Sequence, residues 1–116
     1  MNLIVDKEFE SLIPDLSPDE NLGLVANLKE DGCRDSIVIW KGQGIILDGH
    51  NRYRICTRHN IDFRTVDIEL PDRIAARVWI VTNQLSRRNL TDFTRTEIAL
   101  KLKDIIAEQA ADSPPR

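Results

Sequence analysis

The sequence predicts an α+β domain in which a small mixed β-sheet is flanked by helices, in the order roughly α-β-β-α-β-α-α. Short apolar runs at 36–40 and 44–47 and an alternating run at 63–70 are typical of strands. Longer segments with apolar residues at helical spacing, opened by capping signals, surround these runs. The alternation of the two kinds of segment along one chain indicates the fold class.

Length and composition favour one soluble domain, with 116 residues, 41% hydrophobic residues and 30% charged residues. We expect the domain at 1–110 and, at 111–116, a tail or a linker to a downstream domain. The formal net charge of -3 argues against DNA binding by the domain as a whole, although arginine is concentrated after residue 51. No apolar run is long enough to span a membrane and no leader opens the chain, which predicts a cytoplasmic protein. Cys33 and Cys56 fit no metal spacing and are expected to be packing residues.

The N-terminal third is expected to contain a short strand and one well-capped helix. Scattered apolar positions indicate the strand near residues 9–13. Ser17 can cap a helix, Pro18 suits its first position, and Glu20 completes a capping box. The helix ends at Gly32. Its apolar side is predicted to consist of Leu22, Val25, Ala26 and Leu28.

The remainder of the chain completes the sheet and adds three helices. The runs at 36–40 and 44–47 form a hairpin through a loop that contains glycine. A helix then runs to about Asn60, and another follows the third strand, from Pro71-Asp72 to near Asn83. Thr91-Asp92 or Thr94 with Glu97 opens the last helix. The inward positions of these last two helices are predicted to be Ile74, Ala75, Val78 and Trp79, and then Ile98, Leu102, Ile105 and Ile106.

The junction at Asp48-Gly49, between the second strand and the helix after it, is the first candidate site. A strand that enters a helix through glycine leaves the first helical amides without partners. Those amides, the helix dipole and the guanidinium of Arg52 suit an anion, above all a phosphate. His50 and Asn51 lie in the first turn, where an imidazole can donate to phosphate or accept a proton. The alternative is a tight turn with an aspartate cap and no ligand.

A second candidate site lies at a helix boundary later in the chain. Asn83 and Gln84 close one helix, and Arg87 and Arg88 precede the next. Clustered amides and arginines beside helix ends can hold phosphates or nucleotide hydroxyls, although a polar interhelical turn has the same composition. The residues show no Ser-His-Asp set, P-loop or metal-ligand cluster, so the sequence itself predicts no metal site.

The order of these motifs, from about Ile13 to Leu102, resembles the N-terminal domain of the ParB family, within the ParB/sulfiredoxin fold. Residues 31–39 look like the helix end and strand that in family members read glycine, Gln-Pro and an apolar run. Residues 48–53 are similar to the family's phosphate-binding corner, and residues 83–90 to its third motif. The His-Asn-Arg-Tyr variant at 50–53 looks most like ParB-like proteins of phages, plasmids and mobile elements.

In that family the corner and the third motif bind a nucleoside triphosphate, CTP in chromosome-partitioning proteins, with a magnesium ion. Asn83 stands where the metal-side glutamate of the family would be, and Asp35-Ser36 replaces Gln-Pro. His50 stands where sulfiredoxins carry their nucleophilic cysteine, which argues against reductase activity. The resemblance implies phosphate or nucleotide contacts from Gly49, His50, Asn51, Arg52, Asn83, Gln84, Arg87 and Arg88, with Arg34 and Asp35 on the base side.

The resemblance leaves two functions open. One is a regulatory module that binds CTP or ATP, in a dimeric DNA-binding protein of plasmid partition or transcription regulation that contacts DNA mainly through a downstream domain. The other is a small phosphotransferase or nucleotide hydrolase, similar to the free-serine kinases, with Asp48 or His50 as the proton acceptor. A third hypothesis is a protein–protein adaptor that has kept the fold but no longer binds the ligand.

Overall fold

The structure, a computed structural model, describes residues 3–86 and 90–112, and within them it contains five helices and three strands. In chain order these are α1 (Lys7–Ser11), α2 (Pro18–Asp31), β1 (Ile37–Trp40), β2 (Ile45–Asp48), α3 (His50–His59), β3 (Thr65–Ile68), α4 (Arg73–Leu85) and α5 (Asp92–Asp112). The predicted α+β class is confirmed, with one helix more than the predicted order. The chain forms two compact units, one within Met1–Glu10 and Asp15–Glu69 and the other within Ser11–Pro14 and Leu70–Arg116.

The additional helix, α1, replaces the strand predicted near residues 9–13, and that prediction is wrong. Asp6 starts the helix, because its Oδ1 accepts a hydrogen bond from the N–H of Phe9 at 3.1 Å and its carbonyl accepts one from Glu10 at 2.9 Å. A side-chain acceptor placed three residues before a free amide is the usual N-cap arrangement. Phe9 is fully buried, and its ring centroid lies 6.2 Å from that of Trp40.

The sheet has the strand order β2-β1-β3, and β1 in its centre pairs antiparallel with β2 and parallel with β3. The predicted hairpin is therefore confirmed, and the sheet is mixed, as expected. Ile37, Ile39 and Ile46 are buried on it, and Tyr53 and Phe63 pack against them. Ile4 adds a single bridge at the outer edge of β2, donating to the Gly44 carbonyl and accepting from the Ile46 amide at 2.9 Å each.

Helix α2 begins and ends as predicted, with a capping box between Ser17 and Glu20 and with Gly32, at a positive φ of 76°, after its last turn. Its inward side differs in part. Leu28 is buried and Leu24 and Val25 pack beside it, in a cluster with Ile55 and Cys56 of α3. Leu22 is 68% exposed and Ala26 is also exposed, because α3 covers only the stripe that follows Leu24, Val25 and Leu28. The cluster also includes Cys33, so both cysteines lie among apolar side chains, as predicted.

Helices α4 and α5 form the core of the second unit. The Asp72 side chain caps α4 by accepting from the Ala75 amide at 2.8 Å, and Thr91 caps α5 by accepting from the Thr94 amide at 3.1 Å. The first of the two predicted starts of α5 is thus the one observed. Val81, Ile98 and Ile105 are buried between the two helices. The predicted inward position Ile106 is wrong, because this side chain is 50% exposed.

An ion pair joins the two helices of this unit. The Arg77 guanidinium donates to both carboxylate oxygens of Glu108, at 2.9 and 2.8 Å. This bidentate hydrogen bond lowers the pKa of Glu108. The pair fixes α5 against α4 near the C-terminal end of α5. Among residues 3–86 and 90–112, none of the helices has the length and apolarity that crossing a membrane requires.

Candidate functional site

The candidate corner is the junction between β2, which ends at Asp48, and α3, which begins at His50. Gly49 between them is the N-cap residue, with φ of 99° and ψ of 25° in the left-handed region that glycine adopts far more readily than other residues. It provides no side-chain cap, and the first main-chain hydrogen bond of the helix runs from the Tyr53 amide to its carbonyl at 2.8 Å. The three amides before Tyr53 have no partner within the helix.

The side chain of Arg52 folds back over Gly49. A Cβ atom on Gly49 would lie 3.0 Å from Nη2 of Arg52 and 3.2 Å from Cγ1 of Ile37. The absence of a side chain at Gly49 therefore provides the space that the guanidinium occupies. This places the positive charge of Arg52 directly beside the N-terminus of α3, and its side chain is only 14% exposed.

Arg52 is already paired with acidic groups of the same unit. Its Nη2 lies 3.3 Å from Oδ2 of Asp48 and 3.5 Å from the carbonyl oxygen of Ser36, and its Nη1 lies 3.4 Å from Oδ2 of Asp35. All three distances exceed the upper end of the usual range for such bonds, about 3.2 Å. This pairing was not predicted from the sequence. The guanidinium therefore already faces two carboxylates of its own chain.

His50, the first residue of α3, is buried rather than exposed to solvent. Its side chain is 4% exposed, and neither ring nitrogen has a hydrogen-bond partner among the residues that the structure describes. Burial lowers the pKa of His50 and Arg54 lowers it further, against the opposing effect of Glu10, Asp48 and Asp6. The imidazole is therefore neutral at pH 7, with one nitrogen able to donate and the other able to accept.

The lowered pKa of His50 predicts a loss of stability in mild acid. The unfolded chain binds a proton at the ordinary histidine pKa of about 6.5, whereas the folded chain does so only at lower pH. The free energy of unfolding should therefore fall as the pH drops below about 6.5, by at most about 1.4 kcal/mol per pH unit for this one group. Urea titrations at several pH values between 7.5 and 5 measure this slope.

The matched variant is His50→Leu, which should flatten the slope in this window. His59 is present in both proteins, so the difference between their slopes reports His50. Equal slopes would contradict a buried neutral imidazole at position 50.

The two residues expected on the base side differ in their surroundings. Asp35 contacts Arg52, as described above. Arg34 has a side chain that is 78% exposed and lies 3.8 Å from Asp31, and its carbonyl accepts from Nη2 of Arg64 at 2.7 Å. Of the two, Asp35 is the one that the structure brings to the corner. Asn51 is half-buried in the first turn of α3.

The residues of the predicted third motif belong to the second unit, where α4 continues past Asn83 to Leu85. Gln84 is buried at 5% exposure, whereas Asn83 lines an open groove of about 470 Å³ beside Trp79 and Thr82. Ala75, another predicted inward position, also lines this groove. Arg87 and Arg88, the remaining members of the motif, lie outside the described residues.

Comparison with known proteins identifies the architecture. No family model matches this sequence, and neither does any curated protein. A solved structure of a Pnob8-like ParB-N domain does match, with a TM-score of 0.78 over 94% of this chain at 22% sequence identity. The chain has the fold of a ParB N-terminal domain. The fold expected from the three motifs is therefore confirmed. The chain aligns with 44% of that solved chain, less than half of its length.

The resemblance noted from the sequence also implies a magnesium ion. Residues 3–86 and 90–112 hold no cluster of three or more His, Cys, Asp or Glu side chains that could bind a metal. Asp35 and Asp48 both face Arg52 instead. The described side chains of this ParB-N-like domain thus do not fit a magnesium ion held by the protein alone.

Proposed function

We propose that this ParB-N-like domain binds a nucleoside triphosphate, CTP or ATP, with its phosphates at the junction of β2 and α3. The observation that carries the proposal is the position of the Arg52 guanidinium, which lies against Gly49 at the N-terminus of α3. Unpaired amides, the positive end of a helix dipole and an arginine fork are the groups that bind phosphate elsewhere in proteins.

The phosphate would take the place of a carboxylate on Arg52. The planar guanidinium can bind two phosphate oxygens at once, while the first-turn amides of α3 bind a third. Both ring nitrogens of His50 are buried, so this residue would contribute its first-turn main-chain amide and not its imidazole. The likeness to the ParB-N fold and the Asp-Gly-His-Asn-Arg sequence at 48–52 support the same assignment.

In this proposal the nucleotide is a regulatory ligand of a dimeric DNA-binding protein that acts in plasmid partition or transcription regulation. The domain has a net charge of -3, so the affinity for DNA would come mainly from another part of the protein. Nucleotide binding would stabilise one of two conformations of the chain. A ligand that is bound but not converted acts as a switch in this way.

The test is a titration with CTP, ATP, GTP and UTP, with and without magnesium, followed by calorimetry and thermal unfolding. At a nucleotide concentration of about 100 times Kd, ligand binding stabilises the folded state by about 2.7 kcal/mol, so the Tm should rise by about 10 °C. The parent nucleosides, which lack phosphates, should have little effect. Sedimentation of the same samples reports the change in oligomeric state.

The proposal fails if none of the four nucleotides binds or raises the Tm. Conversion of ATP or CTP to another product during the titration would instead favour the phosphotransferase alternative. In that case either predicted proton acceptor would first have to become accessible, because the ring nitrogens of His50 are buried and the Asp48 carboxylate is paired with Arg52.

A further inference from the structure

We propose that Asp35 is a displaceable internal competitor of the phosphate, so that it sets the affinity of the corner by occupying Arg52 until a ligand arrives. The inference rests on the proposed phosphate site, and it assigns to Asp35 a different role from the base contact expected from the sequence. It concerns which acidic group leaves Arg52 when an anion binds.

The two carboxylates on Arg52 differ in how firmly they are held. Asp48 ends β2, lies four residues before Arg52, and its side chain is 13% exposed. Asp35 has a side chain that is 82% exposed and reaches Nη1 of Arg52 at 3.4 Å. Exposed ion pairs with long contacts contribute little to stability, whereas a carboxylate with little access to water loses more when its partner is removed. Asp35 is therefore the group that a ligand can displace at small cost.

The backbone around Asp35 is fixed, so the exchange needs only a side-chain movement. The Arg34 carbonyl accepts from Nη2 of Arg64 at 2.7 Å, and the amide of Ile37 donates to the Arg64 carbonyl at 2.8 Å. These two bonds hold the chain on either side of Asp35. A rotation of its side chain into water would free Nη1 of Arg52 without disturbing β1.

The charge around Arg52 determines which anions can replace Asp35. The guanidinium carries one positive charge and faces two carboxylates, which leaves this cluster with a net charge of -1. A bound anion would meet this excess negative charge as well as the competition for Nη1. An anion that contacts only Arg52 would gain little free energy by replacing Asp35. An anion that also binds the amides of α3 would gain additional hydrogen bonds and displace it.

The test is the affinity for inorganic tripolyphosphate, a probe without a base, measured by calorimetry on the wild type and on Asp35→Asn. An exposed ion pair contributes a factor of about two to five, so Asp35→Asn should bind the probe about two- to fivefold more tightly. The matched control is Asp31→Asn, which removes the same charge four positions away, where the carboxylate faces Arg34 at 3.8 Å. The control should bind as the wild type does.

A double-mutant cycle then tests whether Asp35 acts through Arg52. In the Arg52→Gln background, Asp35→Asn should no longer change the affinity for tripolyphosphate. An effect of Asp35→Asn that persists in this background would overturn the inference, because it would reflect long-range repulsion instead. An unchanged or weaker affinity in Asp35→Asn, with a wild type that binds, overturns the inference and leaves the phosphate site standing. If neither protein binds tripolyphosphate or any nucleotide, the proposed function fails and the inference with it.

Discussion

Replacing Gly49 by alanine should lower the free energy of unfolding by about 2 to 4 kcal/mol. The new Cβ would sit in a left-handed backbone conformation, at φ of 99°, and would lie 3.0 Å from the Arg52 guanidinium and 3.2 Å from Ile37. The left-handed conformation alone costs a side chain about 1 to 2 kcal/mol, and the close contacts add the remainder. Urea denaturation at pH 7.5 measures the difference.

Gly42→Ala is the matched control for this substitution. Gly42 has a similar φ of 83°, but a Cβ at this position would meet nothing within 4 Å. We expect this variant to lose only the conformational share, about 1 to 2 kcal/mol. If the free energy of unfolding falls by the same amount in both alanine variants, the Arg52 guanidinium does not lie against Gly49, which would contradict the contact on which the candidate site depends.

Replacing Arg52 by glutamine should weaken the binding of nucleotide and of tripolyphosphate by about ten- to a hundredfold, because hydrogen bonds to a charged group contribute about 1.5 to 3 kcal/mol. The affinity of Arg52→Lys should lie between those of Arg52→Gln and the wild type, since lysine keeps the charge but loses the planar fork that binds two oxygens. Calorimetry gives the affinities, and circular dichroism at the same temperature confirms that each variant is folded.

Arg54→Gln provides the control for this series. Arg54 lies two residues further along α3, with a side chain that is 56% exposed and pairs with Glu10. Its removal deletes the same charge from the same helix without touching Gly49, so we expect a change in affinity of less than about fivefold, the range of an exposed charge. If Arg52→Gln and Arg54→Gln weaken binding equally, the phosphates interact with the general charge of α3 and not with the corner.

The parts of the fold that the sequence predicted correctly are those set by neighbouring residues. Ser17 with Glu20, Asp72 and Thr91 each bind an amide three positions from their own, so the starts of three helices are visible in the chain itself. Helix α1 escaped prediction because its five residues are too few for a periodic pattern. Its signals are confined to the cap at Asp6 and the acidic first-turn residues Glu8 and Glu10.

The errors on helix faces have a different cause. Apolar residues can occupy a wide arc of a helix, but only the stripe that meets a neighbour becomes buried. Leu22 and Ile106 belong to the arcs but not to the stripes, at 68% and 50% exposure. The direction from which a neighbour approaches depends on the tertiary structure, which the periodicity of one helix does not contain.

The candidate site was predictable only in its local part. Gly49 and Arg52 are only three positions apart in the chain. Asp48 is four residues from Arg52, a spacing at which helical side chains can meet. Asp35 is 17 residues from Arg52, and the two meet because β1 and β2 pair in the sheet. The competition for Arg52 therefore became visible only with the fold.

The bridge that Ile4 makes with β2 has a consequence for how the protein is handled. The main chain of Ile4 is hydrogen-bonded to the amide of Ile46 and the carbonyl of Gly44. Without Ile4 these two groups would be unpaired on the exposed edge of β2. Unpaired edge strands can form hydrogen bonds with strands of other chains, which promotes aggregation. Removing the first few residues would therefore take away the packing of Leu3 and Val5 against the buried isoleucines of the sheet, and it would also leave this edge of β2 open to pairing with other copies of the chain.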